Sequence, residues 1–132
     1  MKNEFTLTAT IPAKAKDIYQ AWLSTEGHSA MTGSAAKVDG RKGGDFTAWD
    51  GYIWGTFLEL QENKKIVQTW RTSEFPEEAD DSHVEVILEE EKGKTKLTLI
   101  HTVVPEGQDS YKQGWKDFYF KPMKKYDFSS LA

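Results

Sequence analysis

The chain has 132 residues, a formal net charge of −4 and no cysteine. That length suits one domain, and the missing thiols exclude disulfides, thiolate metal sites, iron–sulfur clusters and cysteine nucleophiles together. No apolar run approaches the ~20 residues a membrane-spanning helix needs, the start has no signal-peptide stretch, and the acidic balance argues against nucleic acid as a partner; a cytoplasmic monomer of one domain, residues 1–132, is expected.

In chain order, Phe5, Leu7, Ala9 and Ile11 recur at spacing two and predict a half-buried strand. Pro12 ends it and opens a helix whose face carries Ala15, Ile18, Tyr19, Trp22 and Leu23. Residues 25–31 read as a second short helix closed by Gly33, and residues 39–44, with three glycines, as a loop. Asp50-Gly51 between two aromatic runs, 46–49 and 52–54, predicts a tight hairpin. Residues 56–60 continue the hairpin's second arm, and 66–71, 84–88 and 97–103 read as further strands, the last two alternating through Val84, Val86, Leu88 and through Leu97, Leu99, His101, Val103. Asp109 or Ser110 can cap a closing helix bearing Tyr111, Trp115, Phe118, Pro122 and Tyr126 on one face, and Pro122 should kink it or end its first part. An antiparallel sheet with one apolar face needs a cover, and this helix is the long amphipathic element left to provide it. The expected fold is therefore α+β: a curved antiparallel sheet of about six or seven strands around a long C-terminal helix, with two short helices after the first strand.

Charge is unevenly spread. Residues 74–91 hold nine acids and no Lys or Arg, whereas Lys112, Lys116, Lys121, Lys124 and Lys125 cluster near the carboxyl end. These read as solvated faces or as complementary docking patches. Residues 74–81, acidic and without apolar periodicity, are expected to form an exposed, mobile loop with little to bury.

Catalytic patterns are thin. His28, His83 and His101 have no ligand spacing, so no metal is expected. His83-Val84-Glu85 resembles part of a zinc-deaminase motif but lacks its cysteines. Gly40-Arg41-Lys42-Gly43-Gly44 matches neither phosphate-binding pattern, and no Gly-x-Ser-x-Gly elbow occurs. No cofactor is implied, and the glycines read as architectural, Gly55 marking a bulge where the sheet bends.

The run Gly43-Gly44-Asp45-Phe46, then Gly51, Gly55, Glu59-Leu60, Ile66-Val67 and Trp70-Arg71, with Gly114-Trp115 and Tyr119-Phe120 in the closing helix, resembles the carboxyl-terminal domain of the activator of the heat-shock protein 90 ATPase, most of all its stand-alone bacterial members. The resemblance runs from about Phe5 to Phe128. It implies the helix-grip fold of the START and birch-pollen-allergen (SRPBCC) superfamily, with a cavity between sheet and last helix. In the eukaryotic activator this domain follows an amino-terminal domain that makes much of the chaperone contact, and no residues here correspond to that domain. The expected function is therefore binding of an apolar small molecule in the cavity, with Phe46, Trp54, Trp70, Leu97, Leu99, His101, Trp115, Phe118, Tyr119 and Pro122 as candidate lining. Alternation puts Trp70 inward with Ile66 and Gln68, and puts His101 inside or at a cavity wall as a core histidine, a polar group orienting a ligand, or a general base. The alternative is a chaperone ATPase activator acting through its charged surface, with Arg71, Lys121, Lys124 and Lys125 as partner-binding candidates; Arg71 points outward and can pair with the acidic loop. An enzyme is the third class, and no catalytic set supports it.

Overall fold

The computed structural model describes residues 3–107 and 110–128. Strand β1 (Asn3–Ile11) leads into helices α1 (Ala15–Trp22) and α2 (Thr25–Thr32). Six strands follow: β2 (Lys37–Val38), β3 (Asp45–Ala48), β4 (Ile53–Gln61), β5 (Lys65–Thr72), β6 (Ser82–Glu91) and β7 (Lys94–Val104). Helix α3 (Tyr111–Trp115), a π-helical turn (Lys116–Phe120) and helix α4 (Lys121–Lys125) run on without a break. The strands form one seven-stranded antiparallel sheet in the order β1-β7-β6-β5-β4-β3-β2.

Alternation makes one face of this curved sheet the core. On β5 Ile66, Gln68, Trp70 and Thr72 are buried and their neighbours are not; on β6 the inward set is Ser82, Val84, Val86 and Leu88. α1 buries Ala15, Ile18, Ala21 and Trp22. Its first turn is tied to the sheet by the Ala15 amide, which donates to Glu90 Oε1 at 2.8 Å. α2 begins where Ser24 Oγ accepts from the Gly27 amide at 3.0 Å and ends at Gly33 with φ 83°, a left-handed cap.

Several expectations need correction. Asp50 and Gly51 do sit at the hairpin corner, but the ladder resumes only at Ala48 opposite Ile53, so four residues turn the chain. Trp49 takes φ 52° there, an unusual conformation for a bulky side chain. Gly55 is not at a bulge: the β4–β5 register shifts between Phe57 and Glu59 instead. Glycine is needed at 55 because a Cβ would lie 2.1 Å from the Thr69 carbonyl oxygen. The inward row of β7 passes from His101 to Val104, not Val103, where the β1–β7 register shifts and Val103 has φ 60°.

Trp54 faces outward, 38% exposed. Cross-strand partners share a face: Phe46 lies opposite Gly55 and faces in, so Trp54, opposite Thr47, faces out. Phe118, assigned to the buried helix face, is 56% exposed. Pro122 has no N–H and crowds the turn before it, and the helix accommodates it by widening there, the Lys121 amide reaching back five residues to the Lys116 carbonyl. That turn takes up an extra residue, and Tyr119, Phe120 and Met123 become the buried positions. Ser110 makes no side-chain cap, and Asp109 lies outside the described residues.

Candidate functional site

Between the last helix and the β3–β4 corner lies an open cleft of about 610 Å³. Its floor is Trp70 of β5 and Trp115 of α3, rings 5.5 Å apart, with Tyr111 edge-on to Trp70 at 5.0 Å. Trp49, Tyr52 and Ile53 of the corner form one wall, and Phe118 and Tyr119 of the π-helical turn form the other. Trp49 and Phe118 meet edge to face across the mouth at 5.4 Å.

Behind this floor the interior is filled. Trp22 stacks on Trp115 at 6.3 Å, and its Nε1–H donates to Gln68 Oε1 at 2.9 Å. His101 is fully buried, and its tautomer follows from its neighbours. Ser82 Oγ–H donates to the Trp70 carbonyl at 2.6 Å, so His101 Nε2–H donates to Ser82 Oγ at 2.8 Å, leaving Nδ1 to accept from Trp115 Nε1–H at 3.0 Å. Burial pushes the His101 pKa down to about 3. His28 is arranged the same way: Nδ1–H donates to the Trp22 carbonyl at 2.9 Å and Nε2 accepts from Tyr119 Oη–H at 2.7 Å. Burial pushes its pKa down to about 4, against a smaller upward pull from the Trp22 carbonyl. The same burial pushes the Tyr119 phenol up. Both rings are neutral posts that pin the last helix to the body, and both nitrogens of each are occupied.

A polar cluster borders the cleft. Tyr52 donates to the Glu74 carboxylate, and the hydroxyls of Tyr111 and Thr72 lie 2.6 Å apart. Desolvation and then Glu74 push the Tyr52 phenol up, so it stays protonated. Gln113 Nε2 donates to Asp117 Oδ1 at 3.1 Å. The exception is Trp49, whose Nε1 is shut off from solvent without a hydrogen-bond partner among the described residues.

The structure brings together four of the ten residues expected to line a cavity: Trp70, Trp115, Phe118 and Tyr119. His101 sits behind the floor, bonded to it rather than facing open space, which removes the base and ligand-orienting readings. Phe46, Leu97 and Leu99 are buried elsewhere in the core, while Trp54 is on the outer face and Pro122 lies half-buried outside the cleft. Trp49, Tyr52, Ile53 and Tyr111 were missed as lining. The first three read as hairpin arms, and the positive φ that turns Trp49 toward Phe118 leaves no mark in a one-dimensional pattern. Arg71 is not a free docking group. Its guanidinium donates to the carbonyls of Ala79 at 2.6 Å, Pro76 at 2.8 Å and Glu77 at 3.3 Å, and pairs with Asp81 at 3.2 Å. Phe75 in the same loop is buried, so this acidic segment is anchored and does have something to bury. Lys121, Lys124 and Lys125 are exposed on α4. No group of three or more His, Cys, Asp or Glu that could hold a metal occurs among the described residues.

A curved antiparallel sheet closed by a C-terminal helix, with a cleft between them, defines a helix-grip domain of the SRPBCC type. A family model described as activator of Hsp90 ATPase homolog 1-like protein matches residues 12–126, and the chain belongs to that family. An uncharacterized protein of Schizosaccharomyces pombe is 34% identical over 116 residues, covering 87% of this chain and 34% of that protein. The human activator of 90 kDa heat shock protein ATPase homolog 1 is 27% identical over 122 residues, covering 92% and 36%. The chain thus spans about a third of the length of these curated relatives. A crystal structure of an HSP90 activator from Plasmodium falciparum superposes with a TM-score of 0.79 at 26% identity, covering 89% of this chain and 90% of that one. That of Ara h 8.0201, with a TM-score of 0.73 at 16% identity, shares the fold.

Proposed function

We propose that this domain works by binding rather than by chemistry, and that it holds an apolar small molecule in the cleft between the β3–β4 corner and the last helix. The observation that carries this is the concavity of about 610 Å³ walled by aromatic rings, a size and lining typical of small-molecule sites. The two buried histidines support it from the other side: each has both nitrogens committed to structural bonds, which leaves neither free to move a proton. Native mass spectrometry of freshly purified protein tests for a retained ligand, and amide chemical shifts on adding apolar probes localise it. Shifts at Trp49, Tyr111, Trp115 and Phe118 are expected; perturbations confined to the outer sheet face would sink the reading.

A second reading, regulation of an Hsp90-class chaperone ATPase, is favoured by the names of the human and Plasmodium relatives, and by the match to 90% of the Plasmodium chain by a domain of this size. Exposed Lys121, Lys124 and Lys125 then supply the contact. Stimulation of a purified chaperone ATPase that disappears when all three are reversed to Glu supports it; no stimulation, with cleft binding intact, leaves the first reading alone.

A further inference from the structure

The open side of the last helix presents an apolar centre with charge along its rim. Phe118 is the most exposed large apolar side chain among the described residues. It stands between Gly114 and Pro122, four residues away on either side and both half-buried. Gly114 lets a neighbour come close, since a Cβ there would have the Phe118 ring as its nearest contact beyond the helix itself, at 3.9 Å. An exposed apolar surface with a polar rim is the usual form of a protein interface.

The rim is its own complement. Gln113 and Asp117 line the cleft and are joined by a hydrogen bond of 3.1 Å, and Lys121 and Lys125 continue that row at the same spacing of four. The row reads amide, acid, base, base. Turned end for end about a point between Asp117 and Lys121, it sets Asp117 of one copy against Lys121 of the other, and Gln113 against Lys125. None of Asp117, Lys121 and Lys125 is in an ion pair among the described residues, although the first two are only four positions apart. Beyond Gln113 lies the acidic loop, held at the start of the helix by Phe75 against Tyr111 at 5.8 Å and carrying exposed Glu77 and Glu78. Tyr111 and Lys125 are each seven residues from Phe118, about 10 Å along a helix. The same turn therefore carries the acidic loop of each copy toward Lys125 of the other.

We propose that this face is a two-fold interface between two copies of this chain, in which the last helices lie antiparallel with Phe118 near the axis and Asp117 of each pairs with Lys121 of the other. A closed two-fold contact requires one patch to match itself, and the alternation of acid and base along the row meets that requirement. A foreign surface of a single sign matches only half of the row, and an anionic membrane would repel Asp117 and the acidic loop. The inference replaces the monomer expected from the sequence and holds whether or not the cleft takes a ligand.

Analytical ultracentrifugation of the full chain across the micromolar range reads the equilibrium. A dimer is expected at low salt, weakening as salt is raised. Asp117→Lys and Lys121→Asp each put like charges across the axis, so each variant alone should dimerise about tenfold more weakly or worse. Mixed in equal amounts, the two variants restore opposite charges at both contacts, and a heterodimer of wild-type affinity should return. Where either variant fails to fold, Phe118→Glu serves instead: it buries a carboxylate against its own copy at the axis and should leave a folded monomer. A wild-type chain that stays monomeric at every concentration overturns the proposal and leaves this face to a partner of another kind. A dimer that the single variants or Phe118→Glu leave intact, or one that mixing fails to restore, is built on a different face and overturns it equally.

Discussion

The interior under the last helix and the mouth of the cleft are both built from aromatic side chains and differ in how completely they are matched. Under the helix the buried polar side chains have partners among the described residues: Trp22 with Gln68, His28 with Tyr119, His101 with both Ser82 and Trp115. At the mouth, one indole N–H has none, a Trp sits at positive φ, and a Phe stands in solvent. Matching of this kind fixes a single packing. Its absence marks where the molecule has left surface unmatched.

Acid should separate the two regions most strongly. Both histidines have folded pKa values below the ordinary 6.5, at about 4 for His28 and about 3 for His101. A proton therefore binds the unfolded chain first. Stability is fully present above pH 6.5 and falls as the pH drops toward 4, by roughly 3 kcal/mol for each ring. Urea unfolding between pH 7 and 4 should reveal this loss, and His28→Gln should flatten it in part. A stability independent of pH across that window would mean that neither ring is sealed as described.

Removing a floor residue comes next. Trp115→Ala empties a large buried volume and strands His101 Nδ1 without its donor, so it should cost ~3–5 kcal/mol in denaturant unfolding. A loss below ~1 kcal/mol would put Trp115 outside the core. Tyr119→Phe tests matching with almost no change of shape. It leaves His28 Nε2 buried and unpaired, at a cost of ~1–3 kcal/mol. A neutral result would show that the bond contributes nothing to the fold.

The sequence pattern made the element order, the grip architecture and the inward position of His101 legible, because alternation on β7 and the 3.6-residue period are local signals. What local signals cannot carry is partnership across the chain. His28 and Tyr119 lie 91 positions apart, and nothing near His28 announces a phenol. Trp54 was misplaced because the parity of β4 depends on the turn before it, and that turn holds four residues rather than two. Phe118 was misplaced for a similar reason. The heptad-like spacing assumes a constant helical pitch, and the π-helical turn ahead of Pro122 breaks that assumption. Three of the missed cleft residues, Trp49, Tyr52 and Ile53, lie at the unusual corner, and the misplaced Phe118 lies at the unusual turn.

The smallest effect on stability should come from Phe118 itself, and it is the most telling. At 56% exposed, the ring buries little on folding, and its packing is against Trp49 rather than the core. Phe118→Ala should therefore change unfolding free energy by less than ~1 kcal/mol, as expected for a side chain outside the packed interior. Under the proposed ligand-binding reading the effect on binding is larger, since the ring forms one wall of the mouth and offers an aromatic face to the cleft. Calorimetry with an apolar aromatic probe such as indole should show at least a tenfold loss for this variant, while its thermal unfolding overlays that of the wild type. If instead the variant unfolds several degrees earlier and binds unchanged, Phe118 belongs to the matched interior, and the boundary between the two regions has been drawn one helical position too far out.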